Sequence, residues 1–232
     1  MSYICLLINR QGAVASGDSR LSLHTPLDSI FPWLQLHIDR AAKVENSRDG
    51  HLLWGCCGIT SRGFIRFPVI VRRIMNDTSL TLEEKLKRIE KKVCRHTRQC
   101  QLALKWLFLT RQIRTSEDPK ASFIFNMFWA TFDESGAPHS GSLCIKNGKV
   151  LVSKEYHGSV FIENGMNMDK LSDRRRFAPK TSASLAELYA LSNDRVRESI
   201  EKDHELKAQD PKYRATIGGP VRSVSILPCH TK

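Results

Sequence analysis

Apolar positions in the first sixty residues come in short runs that are typical of buried strands. Tyr3 to Ile8 and Gly12 to Ser16 are two such runs, and a short polar segment ending in glycine separates them. A polar linker with a glycine that can take a positive φ is typical of a β-hairpin. A third run, HLLWGCCGI (51–59), has the length and composition of a buried strand. The N-terminal part of the chain is therefore predicted to form a sheet.

Helical periodicity follows this predicted sheet. We predict one helix over 60–77 and a longer one from about Leu80 to Ile113. Within the longer segment Leu86, Ile89 and Val93 recur at the spacing of one helix face, so the many charged residues between them lie on the outer face. These helices are expected to cover one face of the sheet.

Strand patterns then resume and are grouped along the chain. Segments 121–136, 142–153 and 156–161 are predicted to form a meander, with a turn at Asn147-Gly148. A helix over 182–203 and a closing strand over 217–228 follow. Because strands and helices come in blocks and do not alternate, the pattern predicts an α+β fold with separate layers.

The size of the chain fits one domain. It has 232 residues, 41% of them hydrophobic, and we predict a single domain over 2–232 with an apolar insertion at about 24–42. The apolar runs are shorter than the roughly 20 residues of a membrane helix. No pattern of a cleaved secretory leader precedes them. The expected location is the cytoplasm, without membrane association.

The cysteines and histidines show no familiar ligand spacing. The seven cysteines are an odd number, scattered through apolar or helical contexts, and no CxxC pair is present. The eight histidines do not cluster with cysteines at zinc-site spacing. We therefore expect reduced thiols, no metal site and no cofactor.

The formal net charge of +12 raises the alternative of a nucleic-acid-binding protein. Much of the positive charge lies in 83–100 and 173–180. The first stretch is interpreted as the solvated face of a helix, and a basic surface that meets an acidic partner or subunit is the alternative. Aromatic residues such as Phe125 and Trp129 lie in apolar strands and not among the basic runs. This distribution disfavours nucleic-acid binding, which is kept as an alternative.

With these elements in order, the N-terminal segment resembles proteasome-type N-terminal-nucleophile (Ntn) hydrolases. That family includes the 20S proteasome beta subunits, the bacterial proteasome-like peptidase and the ancestral bacterial beta-type proteins. Its mature chains begin with the nucleophile, continue into a strand, turn at a glycine and reach an A-x-D-x-R-like stretch. The counterparts here are Ser2, the strand Tyr3 to Ile8, Gly12 and VASGDSR (14–20).

Two intervals support the resemblance. Asp18 follows Ser2 by 16 positions, and Gly58 follows Lys43 by 15 positions; the family has similar intervals between nucleophile and aspartate, and between lysine and glycine. Later landmarks are less specific. His157-Gly158-Ser159 lies where the family has Gly-Ser-Gly, although Val160 replaces the last glycine.

The resemblance implies a four-layer αββα sandwich and roles for six residues. Ser2 would be the nucleophile, and its free α-amine the general base. Lys43 would favour the alkoxide, and Asp18 would keep that lysine charged and oriented. Ser159 would bond the terminal amine or the aspartate network. The backbone N–H at Gly58 would meet the oxyanion, and Arg20 would brace Asp18. For the family's second aspartate, the sequence leaves Asp169, Asp173 and Asp194 open.

The implied activity is that of a threonine/serine-type peptidase or amidohydrolase that forms an acyl-Ser2 intermediate. The implied partners are a peptide or protein substrate, further copies of the chain in a homo-oligomeric ring, and an ATP-dependent unfoldase. A noncatalytic subunit or assembly protein with the same sandwich is the main alternative. Retention of Met1 would favour it, because the amine of Ser2 would then be part of an amide.

Overall fold

The computed structural model describes most of the chain. The described residues are 3–23, 36–38, 42–58, 61–62, 65–109, 124–165, 168, 171–210 and 217–228. Within these ranges the chain is a mixed α+β structure with two larger antiparallel sheets and three α-helices, as the grouped strands and helices predict. The insertion predicted at about 24–42 lies largely outside them. None of the described helices is long and apolar enough to cross a bilayer.

The first sheet has four strands, and the predicted N-terminal hairpin lies at its centre. In spatial order the strands are β12 (Val160–Asn164), β1 (Ile4–Asn9), β2 (Gly12–Asp18) and β13 (Val221–Ile226). Asn9 accepts a hydrogen bond from the Gln11 N–H and so stabilises the turn between β1 and β2. Every residue of β1 and β2 is buried, so both faces of these strands are covered.

The second sheet has five strands and contains the predicted meander. In spatial order the strands are β11 (Lys149–His157), β10 (Pro138–Lys146), β9 (Ile124–Phe132), β6 (Leu52–Gly58) and β5 (Val44–Asn46). The predicted turn at Asn147-Gly148 is confirmed, with φ values of 52° and 81° that suit a two-residue hairpin turn. The strands on either side of it are longer than predicted.

One strand of the predicted meander belongs to the other sheet. The sequence groups 156–161 with the meander, but β12 pairs antiparallel with β1, with Ile4 opposite Asn164 and Ile8 opposite Val160. The prediction was wrong because the pattern of apolar residues identifies a strand but not the strand with which it pairs.

Three α-helices pack on these sheets: α1 (Phe67–Met75), α2 (Leu82–Leu109) and α3 (Leu185–Gln209). The predicted helix over 60–77 begins only at Phe67. Short strands β7 (Ser61–Arg62) and β8 (Ile65–Arg66) pair before it, and β3 (Leu21–Leu23) pairs with β4 (Leu36–Ile38).

Both long helices begin with a capping box. In α2 the Thr81 hydroxyl accepts from the Glu84 N–H, and the Glu84 carboxylate accepts from the Thr81 N–H. Ser184 and Glu187 form the same pair of bonds at the start of α3. These bonds satisfy N–H groups that have no partner within the helix, which explains where each helix begins.

The buried apolar side chains form three clusters. In the first, α1 and α2 pack on one face of the five-stranded sheet around Phe67, Val93 and Trp129. The second lies between the two sheets and includes Leu53 and Phe128. In the third, α3 packs on the outer face of the four-stranded sheet. The second cluster covers one face of β1 and β2 and the third cluster covers the other, so these strands are buried on both faces.

The cluster between the sheets should dominate stability. Leu53 is fully buried there, whereas Leu227 is 59% exposed. We expect Leu53→Ala to lower the free energy of unfolding by about 2–5 kcal/mol, because the truncation leaves a cavity. Leu227→Ala, the same chemical change at the surface, should cost less than about 0.5 kcal/mol. Urea unfolding of both variants checks this, and equal losses would contradict the assignment of the core.

Candidate active site

The carboxylate of Asp18, at the end of β2, is the centre of a buried polar cluster. Asp18 is only 1% exposed, and four N–H donors meet it: Tyr3 N at 2.7 Å on Oδ1, and Lys43 Nζ at 2.7 Å, Arg20 N at 3.2 Å and Gly218 N at 3.2 Å on Oδ2. A carboxylate has about four acceptor sites. Both oxygens of the ionised form therefore accept hydrogen bonds, with three of the four donors on Oδ2.

Lys43 forms an ion pair with Asp18 and joins the two sheets. It directly precedes β5 of the five-stranded sheet, is 4% exposed, and donates to Asp18 Oδ2 and to the carbonyl oxygen of Arg20, the latter at 2.5 Å. An ammonium group has three donors. Within the described residues, Asp18 and Arg20 supply acceptors for two of these donors.

Burial and attraction act in opposite directions on this pair. Burial lowers the pKa of Lys43, and the Asp18 carboxylate opposes that shift. Burial likewise raises the pKa of Asp18, while Lys43 and the surrounding N–H donors oppose the rise. Each charge is tolerated in the interior because the other charge is present.

Tyr3, the residue after Ser2, is held at both its main chain and its side chain. Its N–H donates to Asp18, and its carbonyl oxygen accepts from the Asp18 N–H at 3.2 Å. Its phenol donates to Glu163 and accepts from Arg195 Nε at 3.1 Å. Burial raises the pKa of the phenol, which therefore stays protonated as a donor. These contacts fix the position at which the chain continues to Ser2.

A second buried ion pair supports Tyr3 from the side of α3. Arg195 on α3 is fully buried and contacts the Glu163 carboxylate at 2.9 Å. It also donates to the carbonyl oxygen of Ser172 at 3.0 Å and lies 4.8 Å from the ring centre of Phe177. We did not identify these residues from the sequence. The available signal was helical spacing, because Arg195 lies on the same buried face of α3 as Leu188 and Ser199.

Arg20 contacts Asp18 through its main chain. Its N–H donates to Asp18 and to the carbonyl oxygen of Gly218, and its own carbonyl oxygen accepts from Lys43. The guanidinium lies against Gly218, where an added Cβ would be 2.6 Å from Arg20 Cζ. The main chain at position 20 therefore links both members of the ion pair.

Gly58 ends β6 near the same end of the two sheets. Cys57 Sγ lies 3.7 Å from the carbonyl oxygen of Asn164, and Asn164 is opposite Ile4 in the neighbouring sheet. Gly58 has a φ of 96°, and an added Cβ would lie 2.1 Å from the carbonyl oxygen of Ile124. Only glycine fits here. Its role toward an oxyanion stays a prediction.

The structure does not bring Ser159 to this cluster. Ser159 is exposed in the turn before β12, and Val160 is opposite Ile8, whereas Tyr3 adjoins the other end of β1. Four residues of strand separate Ile8 from Ile4, or about 13 Å. Ser159 is distant because β12 pairs antiparallel with β1. The last residue of β12, Asn164, therefore lies beside the start of β1, and the residues before β12 lie at the other end.

The other predicted site residues lie outside the described residues or away from the Asp18 cluster. Ser2 and Asp169 lie outside the described residues. Asp173 is exposed and caps a short 3-10 helix over Arg174–Phe177, and Asp194 is exposed and pairs with Arg197 at 3.4 Å. Neither of these two aspartates is in the Asp18 cluster. A buried carboxylate does lie beside Tyr3, but it belongs to Glu163.

Comparison with solved structures finds Anbu proteins, and the likeness extends over nearly the whole chain. Anbu (ancestral beta-subunit) from Yersinia bercovieri matches with a TM-score of 0.53 and 11% identity, covering 97% of this chain and 80% of that one. Anbu from Hyphomicrobium sp. strain MC1 has a TM-score of 0.51 and 13% identity, covering 97% and 82%. Anbu from Pseudomonas aeruginosa, described in a helical assembly, has a TM-score of 0.56 and 10% identity, covering 97% and 81%.

These comparisons correct the family suggested by the sequence. The identification with 20S proteasome beta subunits or the bacterial proteasome-like peptidase was wrong, because the similar structures are Anbu proteins, a different family with a proteasome-like fold. No protein-family model matches the chain, and no curated protein matches it. At 10–13% identity the likeness shows the proteasome-like fold alone.

The Asp18–Lys43 pair should act as one unit in stability. Asp18→Asn leaves the ammonium buried without a counter-charge and should lower the free energy of unfolding by about 3–5 kcal/mol. Lys43→Met should cost less, because three main-chain N–H donors still meet the carboxylate. The double variant should cost less than the sum, with a coupling of about 0.5–3 kcal/mol.

Urea unfolding of the two single variants and the double variant measures this coupling. Glu83→Gln is the control, because it breaks the exposed Glu83–Lys87 pair and should leave the unfolding midpoint unchanged. Strictly additive losses from Asp18→Asn and Lys43→Met would show that the two side chains do not form the pair.

Proposed function

We propose that the chain is an N-terminal-nucleophile hydrolase that cleaves amide bonds through an acyl-Ser2 intermediate. The observation that carries the proposal is the contact of Asp18 with both Tyr3 N and Lys43 Nζ, each at 2.7 Å. Ser2 is bonded directly to that Tyr3 nitrogen. A buried lysine–aspartate pair thus lies one residue from a serine whose hydroxyl and amine can act together.

The reaction begins once Met1 has been removed, which gives Ser2 a free α-amine. With an unperturbed pKa near 8, this amine accepts the proton of the Ser2 hydroxyl, directly or through a water. The oxygen attacks the amide carbonyl, and the amine leaves with a proton. Water then hydrolyses the acyl-Ser2 ester and restores the hydroxyl.

Lys43 supplies positive charge to this step. Asp18 and the Arg20 carbonyl oxygen take two of its three donors, and in the proposal the third faces the Ser2 hydroxyl. A nearby ammonium favours the alkoxide and lowers the proton affinity of the α-amine. Burial lowers the pKa of Lys43, and the Asp18 carboxylate opposes this shift and so favours the charged form. Asp18 and Arg20 are positioning residues in this scheme.

In the proposal, the backbone N–H of Gly58 stabilises the oxyanion. This glycine ends a strand at the same end of the sheets as Tyr3, and a main-chain N–H offers a fixed dipole without a reorganisation cost. Ser159 is left out of the scheme because it lies at the other end of β1.

The broader architecture of the proposal is a four-layer αββα sandwich that self-assembles. The three apolar clusters support the order of layers, with α1 and α2 on one side and α3 on the other. Assembly is supported by the Anbu protein from Pseudomonas aeruginosa, described in a helical assembly. A ring, an ATP-dependent unfoldase, a peptide or protein substrate and a cytoplasmic location stay predictions.

Intact mass spectrometry of the native protein tests the nucleophile. We expect a mass without Met1, and one adduct after treatment with an electrophile that captures N-terminal hydroxyl nucleophiles. Peptide mapping should place the adduct on Ser2. Ser2→Ala should lose the adduct and amide hydrolysis, whereas Ser182→Ala, at an exposed turn, should keep both. Retained Met1 without an adduct, or an adduct on Ser2→Ala, would overturn the proposal in favour of a noncatalytic protein.

Self-assembly is tested separately by light scattering. Leu102 and Trp106 lie four positions apart on α2 and are 56% and 58% exposed, an apolar surface that a second copy would cover. We expect the native chain to be larger than a monomer, and Trp106→Glu to shift it toward the monomer. Lys105→Glu introduces the same side chain at the neighbouring exposed position, with a larger change in charge, and should leave the assembly intact. A monomeric native chain would refute this part of the proposal.

A further inference from the structure

A group of metal-ligating side chains lies on the edge of the five-stranded sheet. His139 on β10 and His157 on β11 have stacked rings whose centres are 4.7 Å apart, and His139 Nε2 lies 3.4 Å from Glu155 Oε2. One ligand atom from each of the three residues can be chosen so that all lie within 4.8 Å of one another.

The strand register explains this grouping. His139 is directly opposite His157, and the Gly158 N–H bonds to the Pro138 carbonyl oxygen beside them. The histidines therefore occupy a non-hydrogen-bonded position, where side chains of an antiparallel pair come closest. Glu155 is two residues before His157 and so lies on the same face of the sheet.

The Trp129 ring and a groove border two of these side chains. Glu155 is opposite Gly141, which has no side chain, and the Trp129 ring lies over that glycine. Trp129 also packs edge-on against His139, with ring centres 4.8 Å apart. A groove of about 710 Å³ between α2 and the sheet includes His139, Glu155 and Trp129 in its lining. His139 and Glu155 thus face an open, partly polar space.

We propose that His139, His157 and Glu155 bind one Zn²⁺ ion, with a fourth position open to the groove. Two imidazoles and one carboxylate suit Zn²⁺ better than Mg²⁺ or Ca²⁺, which prefer oxygen ligands. Around a tetrahedral zinc with bonds of about 2.1 Å, ligand atoms are about 3.4 Å apart. The His139–Glu155 pair has this separation, and His157 is exposed and can rotate to complete the site.

The site is independent of the proposed hydrolase. His139 is opposite Thr131 of β9, and Thr131 is opposite Leu52 at the start of β6. Lys43 directly precedes β5, which pairs with β6, and lies near the other end of β6. His139 also shares its face of the sheet with Trp129 and Leu143, which pack toward α1 and α2 and not toward the second sheet. The zinc site and the Asp18 cluster therefore lie at opposite ends of the sheet and on opposite faces.

This inference departs from the expectation of no metal site. That expectation compared cysteine and histidine spacings with known zinc motifs. The three ligands here are 16 and 2 positions apart along the chain, and only the pairing of β10 with β11 brings them together.

Isothermal titration of the chelator-treated full chain with ZnSO₄ tests the site. We expect one Zn²⁺ per chain. His157→Ala and Glu155→Gln should each weaken binding by about 100-fold or more, since the loss of even a supporting partner of a ligand costs 10–100-fold. His204→Ala, an exposed histidine on α3, is the matched control and should bind as the native chain does.

Cobalt spectroscopy separates this site from thiol ligation. Co²⁺ bound by two histidines and a carboxylate should give visible d–d bands without a thiolate charge-transfer band. Thermal unfolding should show that Zn²⁺ raises the Tm of the native chain and of His204→Ala but not of His157→Ala. Unchanged affinity in His157→Ala, a thiolate band, or no binding by the native chain would overturn the proposal.

Discussion

The buried ion pair between Asp18 and Lys43 is the constraint on which the arrangement of the two sheets depends. Asp18 ends a strand of one sheet and Lys43 directly precedes a strand of the other, so the pair joins the sheets at one end. Burying two charges costs several kcal/mol for each ion unless every donor and acceptor is satisfied. Here the main chains of Tyr3, Arg20 and Gly218 complete the carboxylate. Four separate segments must therefore converge before the pair is stable.

Tyr3 is the point at which two buried networks meet. Its main chain belongs to the Asp18 cluster, and its phenol belongs to the Glu163–Arg195 pair under α3. Replacing buried ion pairs by apolar residues often leaves stability unchanged or increases it, so stability alone does not explain two of them. Both fix the position of the residue that follows Ser2. In the proposed reaction, a fixed neighbour of Ser2 would lower the entropy cost of reaching the reactive geometry.

The two ends of the five-stranded sheet carry different chemistry. At one end the main chain closes tightly around buried charges, with Gly58 pressed against β9. At the other end the edge strand β11 is exposed along nearly its whole length, and its Glu155 carboxylate lines a groove. Buried charges suit a preorganised reaction site, whereas exposed side chains can rotate to bind an ion. The fold thus separates buried, hydrogen-bonded charges at one end of the sheet from exposed polar side chains at the other.

The sequence by itself determined the local elements: the N-terminal hairpin, the turn at Asn147-Gly148 and the grouping that gives an α+β fold. These depend on apolar periodicity and turn chemistry over a few residues. It also selected Asp18 and Lys43, whose contact is seen in the structure, although their catalytic roles stay predictions. Only the tertiary structure decided that β12 pairs with β1, which removes Ser159 from the cluster and brings Glu163 to Tyr3. His139 and His157 lie opposite each other because of the register between β10 and β11. Strand partners and register are set by contacts between residues far apart in the chain, and an alternating pattern carries no record of which strand lies opposite.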